Sequence, residues 1–303
     1  MAQKSAWKDK FSFINASVVS NDLILFLLSS DELASRNIPS AMFLAWKNGA
    51  WLDAGNQRWL CAGLGSDDST PPRLVAVGEF GEVFVRGGGI QSNEKVTPKL
   101  KTVSDHGPLR GVRTIGHDVY VVGMGRQVYM RSNSRWSALD TGLGPMHGRA
   151  DVTGFEAIAG FASDELYAVG WNGEIWHFDG RSWIRADSPS NLILNDVCCA
   201  GDGKVYAVGQ KGTLVIGRGD KWELVEGLDF DDDLWSVAWH HGVLYLCSTR
   251  ELLTFDGKTL DAADFGADEP ETFYKLATGD GVLCSVGAKD VMLHDGQRWI
   301  RLE

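Results

Sequence analysis

Hydrophobic and polar positions repeat along the chain as one pattern. A hydrophobic run ends in Gly, a short turn follows, and a second run ends in Asp-Gly or a related pair before a Trp. Full copies occupy residues 166–183 and 205–222, and weaker copies occupy residues 74–89, 119–136, 244–260 and 282–299. The Gly that ends the first run recurs at Gly78, Gly123, Gly170, Gly209 and Gly287, and Ser248 takes its place once.

Each copy divides into four short strands. In one unit we expect strands at residues 155–161, 166–170, 174–178 and 183–186, with hairpin turns at Asn172-Gly173 and Asp179-Gly180, because Asn, Asp and Gly tolerate positive φ. The copies recur every 39 to 47 residues or so, which is the length of a four-stranded propeller blade. The sequence therefore predicts an all-β fold, a seven-bladed β-propeller of four-stranded antiparallel blades.

The predicted blades follow one another in a single domain over residues 1–303. Their approximate ranges are 11–55, 57–98, 109–141, 154–188, 192–227, 233–265 and 272–303. The first blade carries an insertion at 30–40, where residues 31–36 are compatible with one helical turn. An open ring would leave a strand edge unpaired, so we expect residues 6–13 to lie near the last strand and help close the ring.

A Trp opens the fourth strand in five blades, and we interpret these rings as packing between neighbouring sheets. They are Trp51, Trp136, Trp183, Trp222 and Trp299. Their recurrence at equivalent positions indicates a structural role.

The composition of the chain argues against some classes of partner and indicates the cellular compartment. The net charge is −11 and Lys and Arg form no stripe, which argues against binding to nucleic acid or to anionic membranes. The start of the chain lacks the pattern of a signal peptide, and the longest apolar run, 23–28, is too short to span a bilayer. The five Cys are an odd number within strand-like runs, so we expect buried thiols and a cytoplasmic location.

Motifs for catalysis or cofactor binding are missing from the sequence. There is no nucleophile elbow, no phosphate-binding loop and no His pair at metal-ligand spacing. The cluster formed by Asp229 and Asp231 to Asp233 lacks the Gly and Glu of a calcium loop. We therefore expect a protein that is not an enzyme and that holds no metal and no cofactor.

The repeat resembles that of a diverse group of bacterial β-propellers, loosely related to the Asp-box, photosystem II assembly-factor-like and WD-repeat-like types. The resemblance covers about six of the seven blades. The turn Asp179-Gly180-Arg181-Ser182-Trp183 is one residue shorter than a true Asp box, which reads Ser-x-Asp-x-Gly-x-x-Trp. No blade carries the Gly-His and Trp-Asp pairs of WD repeats.

The resemblance implies a binding face built from the turns between second and third strands and from the connections between blades. From the turns it would contain Phe80, Arg126, Trp171, Lys211, Arg250 and Lys289. From the connections it would contain His106, Met146, His147, Arg149, Asp231, Asp232 and Asp233. Trp171 differs from its smaller equivalents, and an exposed Trp is a favoured interface anchor. A Trp folded over its own hairpin is the other interpretation.

Three functions remain open from the sequence. The first is a non-catalytic protein-binding platform, in particular an immunity or inhibitor protein that blocks a toxin or enzyme, with a basic partner suited to the charge of −11. The second is a sialidase-like or lactonase-like propeller enzyme with its site in the central channel. The third is a small-ligand or sugar binder that stacks its ligand on Trp171 and Phe80.

Overall fold

The computed structural model describes residues 7–96, 105–144 and 153–303. Within these ranges the chain forms seven sheets, each made of four consecutive antiparallel strands. The first strand of each sheet packs against the first strands of its two neighbours, so the sheets form a ring around a central channel. The prediction of a seven-bladed propeller of four-stranded blades is confirmed.

The strands are numbered β1 to β28, four to a blade. Blades 1 to 4 contain β1 Phe11–Ser20, β2 Leu23–Ser30, β3 Ala41–Lys47 and β4 Ala50–Gln57; β5 Cys61–Ser66, β6 Leu74–Gly78, β7 Glu82–Gly87 and β8 Ile90–Lys95; β9 Leu109–Ile115, β10 Asp118–Gly123, β11 Gln127–Ser132 and β12 Arg135–Ala138; and β13 Phe155–Ala162, β14 Glu165–Gly170, β15 Ile175–Phe178 and β16 Trp183–Ala186. Blades 5 to 7 contain β17 Leu194–Cys199, β18 Val205–Gly209, β19 Leu214–Arg218 and β20 Lys221–Leu224; β21 Ser236–His240, β22 Val243–Cys247, β23 Leu252–Phe255 and β24 Leu260–Ala262; and β25 Lys275–Gly279, β26 Val282–Val286, β27 Val291–His294 and β28 Trp299–Arg301.

The insertion in blade 1 forms the single α-helix of the described ranges, α1, which spans Asp31–Ser35. The side chain of Ser30 caps this helix by accepting a hydrogen bond from the backbone N–H of Leu33. The helical turn expected from the sequence is therefore present.

Burial explains why second and fourth strands have different sequences. The second strand of a blade has other sheets above and below it, and β6 and β18 are buried along their whole length. Such strands are nearly continuous apolar runs, because both of their faces are covered. The fourth strand lies at the rim of the ring, and β12 and β20 contain no fully buried residue.

The hydrophobic core consists of seven clusters, one at each interface between neighbouring blades. The repeat Trp residues occupy five of these interfaces: Trp51, Trp136, Trp183, Trp222 and Trp299. Trp183 is only 2% exposed, and its Nε1 donates to the carbonyl of Leu139 in the preceding blade at 2.8 Å. The structural role expected for these rings is confirmed.

The last and first blades are joined by the same type of backbone hydrogen bond that joins other neighbouring blades. The amide of Phe13 in blade 1 donates to the carbonyl of Ala288 in blade 7 at 3.0 Å. The amide of Leu109 in blade 3 donates in the same way to the carbonyl of Glu79 in blade 2 at 2.8 Å. Within the described residues, blade 7 therefore joins blade 1 through its own four strands, with none supplied by the segment that precedes blade 1.

The segment before β1 also contacts blade 7. The ammonium of Lys289 donates to the carbonyls of Lys8 and Phe11, both at 2.9 Å, and pairs with the carboxylate of Asp31. The amide of Lys8 donates to the carboxylate of Glu303 at 3.2 Å. This segment thus lies against the last blade, as the sequence indicates, and contributes side-chain and backbone contacts rather than a strand.

Candidate functional site

One face of the ring, which we call the loop face, collects the turns between second and third strands and the connections between blades. Backbone hydrogen bonds join the turns to the connections between blades. The amide of Gly125, in a turn of blade 3, donates to the carbonyl of Thr153 before blade 4 at 2.8 Å. The amide of Gly212, in a turn of blade 5, donates to the carbonyl of Asp232 before blade 6 at 2.8 Å. These contacts hold the loops against one another on a rigid ring.

Two glycines show why this turn is so regular. Gly173 and Gly212 have φ values of 67° and 66°, a region that favours glycine. A Cβ at Gly173 would overlap the carbonyl oxygen of Ser190, and one at Gly212 would overlap that of Phe230. The turn is therefore pressed onto the following connection, and the Gly that ends it is required for that approach.

The structure places the turn residues and the Asp cluster named from the sequence on the loop face. Met146, His147 and Arg149 lie outside the described residues, and His106 lies half-buried in the connection to blade 3. Phe80 is 56% exposed, and its neighbour Glu79 donates its amide to the carbonyl of the exposed Leu60 at 2.9 Å. Blade 2 therefore carries two exposed apolar side chains on segments that are joined by a backbone hydrogen bond.

Arg126 is held in an interface between blades. Its side chain is 16% exposed, and its Nε and Nη2 donate to the two carboxylate oxygens of Glu174 at 2.7 and 2.5 Å. Trp176 donates to the same carboxylate at 3.1 Å. Burial alone would raise the pKa of Glu174, but the hydrogen bonds from Arg126 and Trp176 outweigh it and keep the pKa below its usual value. Arg126 therefore links blades 3 and 4.

Trp171 is half-buried and lies over its own blade. Its Nε1 donates to the carboxylate of Glu156, on the first strand of blade 4, at 2.6 Å. Glu156 lines the central channel and also lies 3.9 Å from Nε of Arg110. Of the two interpretations of Trp171, the geometry favours the ring folded over its own blade, with its edge towards the channel.

A cluster of charged residues on the loop face lies between blades 5 and 6. The guanidinium of Arg250 is 2.6 Å from the carboxylate of Asp232. The backbone amide of Lys211 donates to the carboxylate of Asp233 at 2.9 Å. The side chains of Lys211, Arg250 and Asp231 are exposed. This cluster is accessible to a partner, in contrast to Arg126.

A ring of seven side chains surrounds the mouth of the central channel on the loop face. In five blades the first strand has one extra residue opposite the second strand, which is a β-bulge. The residues at this position are Ile14, Ala62, Arg110, Glu156 and Asn195, and the corresponding residues in blades 6 and 7 are Trp235 and Tyr274. All seven line the channel. Bulges commonly redirect a side chain, and here they supply five of the seven residues, which together we call the mouth ring.

Sequence reasoning missed the two aromatic members of the mouth ring. The ring centroids of Trp235 and Tyr274 are 5.5 Å apart at an angle of 46°. The ammonium of Lys275 donates to the carbonyl of Trp235 at 2.9 Å and lies 5.4 Å from the Tyr274 ring. The sequence did contain a signal for these two residues: each is a large aromatic residue at the repeat position that Ala62 and Asn195 occupy in other blades.

A polar network lies deeper in the channel, whose volume is about 490 Å³. Asp196 in blade 5 is 3% exposed and accepts hydrogen bonds from Ser236 and Val237 of blade 6. Arg113 in blade 3 donates to the Asp196 carboxylate at 3.2 Å and to the carbonyl of Val197 at 2.8 Å. Arg113 thus reaches past blade 4, and its charge is already paired with that of Asp196.

The channel offers no activated nucleophile or metal ligand set in the part of the chain that the structure describes. Across residues 7–96, 105–144 and 153–303, no three His, Cys, Asp or Glu residues are placed to hold a metal ion. Burial raises the pKa of the channel thiols Cys61 and Cys198 to about 12 and about 11, and it also raises the pKa of the third channel thiol, Cys199. All three thiols therefore stay protonated at neutral pH, and the thiolate is the reactive form.

The fold defines the class of this protein: a seven-bladed β-propeller with a loop face and a central channel. Solved propellers of this shape include YCF48 bound to D1 peptide, with a TM-score of 0.65 and 16% identity, covering 94% of this chain and 91% of that one. The WD40 propeller domain of Doa1 has a TM-score of 0.66 and 10% identity, covering 95% and 94%. These likenesses confirm the fold and the resemblance to assembly-factor-like and WD-repeat-like propellers.

No protein-family model matches the chain. A full-length relative is the immune protein Tsi7 of Pseudomonas aeruginosa, which is 41% identical over 307 residues and covers 97% of both chains. The chain belongs to the family of this immune protein. Among the helices of the described ranges, none has the length and apolar character needed to cross a membrane.

Proposed function

We propose that this chain is a non-catalytic immunity protein that neutralises a protein toxin by binding to it. The observation that carries the proposal is the 41% identity to the immune protein Tsi7 across 97% of both chains. An immunity protein of this kind acts by stoichiometric binding, which needs a stable surface and no catalytic group. A closed ring of seven sheets supplies such a scaffold, and loops held on a rigid scaffold commonly carry binding.

The loop face is the proposed toxin-binding surface. It carries the exposed side chains of Phe80, Lys211, Arg250 and Asp231 and the irregular connections between blades. The chain has a net charge of −11, so a basic toxin would be attracted to it over distance. A toxin that degrades nucleic acid would suit this charge, because such enzymes need a basic surface for their substrate.

The geometry of the channel supports binding over catalysis. A sialidase-like site needs a cluster of free arginines, whereas Arg110 and Arg113 come from one strand and Arg113 is paired with Asp196. A sugar stacked between aromatic rings is also disfavoured. Phe80 and Trp171 lie on blades 2 and 4, and the Trp171 indole is bound to Glu156.

A cytoplasmic location is part of the proposal. All five cysteines are free thiols, and free thiols persist in a reducing compartment. An immunity protein in the cytoplasm would meet a toxin that reaches that compartment.

Capture followed by neutralisation tests the function. The tagged chain is used to isolate partners from the native host, and each captured protein is then expressed in a laboratory host with and without this chain. We expect one captured protein to arrest growth alone, to be harmless with the chain present, and to co-elute with it in a stoichiometric complex. Growth arrest that persists despite equal expression of the chain would contradict the proposal.

A further inference from the structure

Blade 6 differs from the other blades in the charge of the connections on its two sides. Connection 5/6, residues 225–235, and connection 6/7, residues 263–274, contain no Lys or Arg. Together they carry nine carboxylates: Glu226, Asp229, Asp231, Asp232 and Asp233 in the first, and Asp264, Asp268, Glu269 and Glu271 in the second. Seven of the nine residues are exposed, and Asp232 and Asp233 are half-buried.

Both connections end in an aromatic residue of the mouth ring. Trp235 ends connection 5/6 and Tyr274 ends connection 6/7, and their rings contact each other with a centroid distance of 5.5 Å. The two aromatic rings therefore form one surface at the centre of the loop face, and the acidic connections extend from it on either side of blade 6.

The turn of blade 6 fixes this arrangement. Arg250 in the turn pairs with Asp232 of connection 5/6 at 2.6 Å. The carbonyl of Thr249, in the same turn, accepts from the amide of Phe273 in connection 6/7 at 3.2 Å. We call the surface formed by both connections, Trp235 and Tyr274 the blade 6 sector.

Three nearby cations, Arg250, Lys275 and Arg301, already have partners, and Lys211 is an exposed cation beside the sector. Lys275 donates to the carbonyl of Trp235 at 2.9 Å, and Arg301 pairs with Asp268 and with Asp290 of blade 7, both at 2.6 Å. The carboxylates of Glu226, Asp229 and Asp231 are exposed, and their own connection contains no basic residue. The sector therefore combines an aromatic surface with an excess of negative charge.

We propose that the blade 6 sector is the docking site for a basic, protruding segment of the partner toxin. This inference rests on the proposed function and names the chemistry of the surface that the toxin contacts. Trp235 and Tyr274 receive the stems of Lys or Arg side chains, whose cations are attracted to aromatic faces. The acidic connections attract the neighbouring basic residues and orient the segment.

Other occupants fit the sector less well. A second copy of this chain would bring the same carboxylates against each other, and like charges at an interface oppose association. Nucleic acid would be repelled for the same reason. A basic protein segment satisfies both the charge and the aromatic surface.

The first test uses a nona-arginine peptide as the probe and a nona-glutamate peptide as its control, measured by calorimetry at low salt. We expect the basic peptide to bind, with an affinity that falls as salt is added. Trp235→Ala and the double variant Asp229→Asn/Asp231→Asn should each weaken binding about tenfold, the scale of an interface anchor or a pair of steering charges.

The matched control is Asp220→Asn/Glu223→Gln, which removes two exposed charges from the outer hairpin of blade 5. It should change the peptide affinity by less than about twofold, because these charges lie away from the loop face. Equal weakening by this control and by Asp229→Asn/Asp231→Asn would overturn the proposal. Light scattering tests whether the chain associates with itself. Self-association of the wild-type chain that is lost in Trp235→Ala would also overturn the proposal.

The second test repeats the measurements with the isolated toxin. Full neutralisation of the toxin by Trp235→Ala and by Asp229→Asn/Asp231→Asn, with unchanged affinity, would overturn the docking site and leave the proposed function standing. A different result would contradict the proposed function and not the docking site: the wild-type chain binds nona-arginine at the sector but neutralises no toxin. Melting temperatures identify any variant that is unfolded, and the charge variant decides the outcome if Trp235→Ala does not fold.

Discussion

The guanidinium of Arg126 and the carboxylate of Glu174 form a two-pronged ion pair across the interface between blades 3 and 4. Arg126 lies in a turn of blade 3 with a φ of 55°, and this backbone conformation places the side chain over the neighbouring blade. The residue is part of the loop face, yet its charge is used to join two sheets. Glu174 is only 3% exposed, so the pair is shielded from solvent.

Replacing Arg126 with Met should destabilise the protein by about 3 kcal/mol at neutral pH, because it leaves a buried carboxylate without its main partner. The pKa of Glu174 is below its usual value in the native protein, so its contribution to stability is present above that usual value and is lost as the pH falls through the folded-state pKa. In the variant this pKa should rise. In denaturant unfolding, the difference in free energy of unfolding between wild type and Arg126→Met should therefore shrink from neutral to acid pH. A difference that does not change with pH would contradict the role of this ion pair.

Trp183 and Trp171 should differ strongly when each is replaced by Ala. Trp183 is 2% exposed within an interface between blades, and its loss should cost about 3–5 kcal/mol. Trp171 is half-buried in a turn, and its loss should cost roughly 1 kcal/mol. Thermal melts of both variants provide the comparison. Equal losses would mean that the indole of Trp171 is part of the core.

Lys289→Ala should weaken ring closure. Its ammonium holds the carbonyls of Lys8 and Phe11 together with the carboxylate of Asp31, and hydrogen bonds to a charged group contribute roughly 1.5–3 kcal/mol. Because the side chain of Lys289 is partly exposed, solvent weakens these contacts, and we expect a loss below that range, about 1 kcal/mol. Lys221→Ala, at an exposed position on an outer strand, is the control and should leave the unfolding midpoint unchanged. Equal midpoints for both variants would contradict the role in closure.

Two histidines between blades 6 and 7 should make stability depend on pH. Nε2 of His240 lies 3.2 Å from Nδ1 of His294. Burial, followed by the charges of His241 and His294, lowers the pKa of His240 to about 4. The fold therefore holds the neutral ring, so the contribution is complete above a pH of about 6.5, the pKa of an unperturbed His, and is lost as the pH falls towards 4.

Melting temperatures between pH 7 and pH 4 check this prediction. The wild-type protein should lose stability over that window more steeply than His240→Phe, because the variant has no proton to take up at this position. His117→Ala, in an exposed hairpin, is the matched control and should follow the wild type. Parallel curves for wild type and His240→Phe would show that this ring does not control the pH response.

The sequence predicted the fold well because the fold rests on local chemistry. Glycines such as Gly173 and Gly212 recur where a turn touches the next connection, and continuous apolar runs such as β6 recur where a strand is covered on both faces. Trp183 and its equivalents recur where neighbouring sheets pack. Because each of these features recurs once in most blades, the spacing of the repeats in the sequence was enough to predict the number of blades and strands.

The candidate site was less accessible to sequence reasoning because it depends on contacts between distant parts of the chain. Arg126 was predicted on the loop face, but its partner Glu174 belongs to the next repeat. Trp235 and Tyr274 were missed because each lies at the end of a connection, one residue before the first strand of its blade, where no alternation of apolar and polar residues marks it. Their convergence on the channel appears only when the ring is closed.

The mouth ring varies from blade to blade, whereas the packing between the blades is shared by the whole ring. One backbone position accommodates Ala62, Arg110, Asn195 and Trp235 in different blades of the same molecule, whereas the seven interfaces that hold the ring together lie between the sheets. Of the seven side chains, Ile14 and Ala62 also pack against a core cluster between blades, whereas the other five belong to none of these clusters. The size and charge of those five side chains can therefore change with little repacking of the interfaces, so the same propeller can carry differently shaped channel mouths.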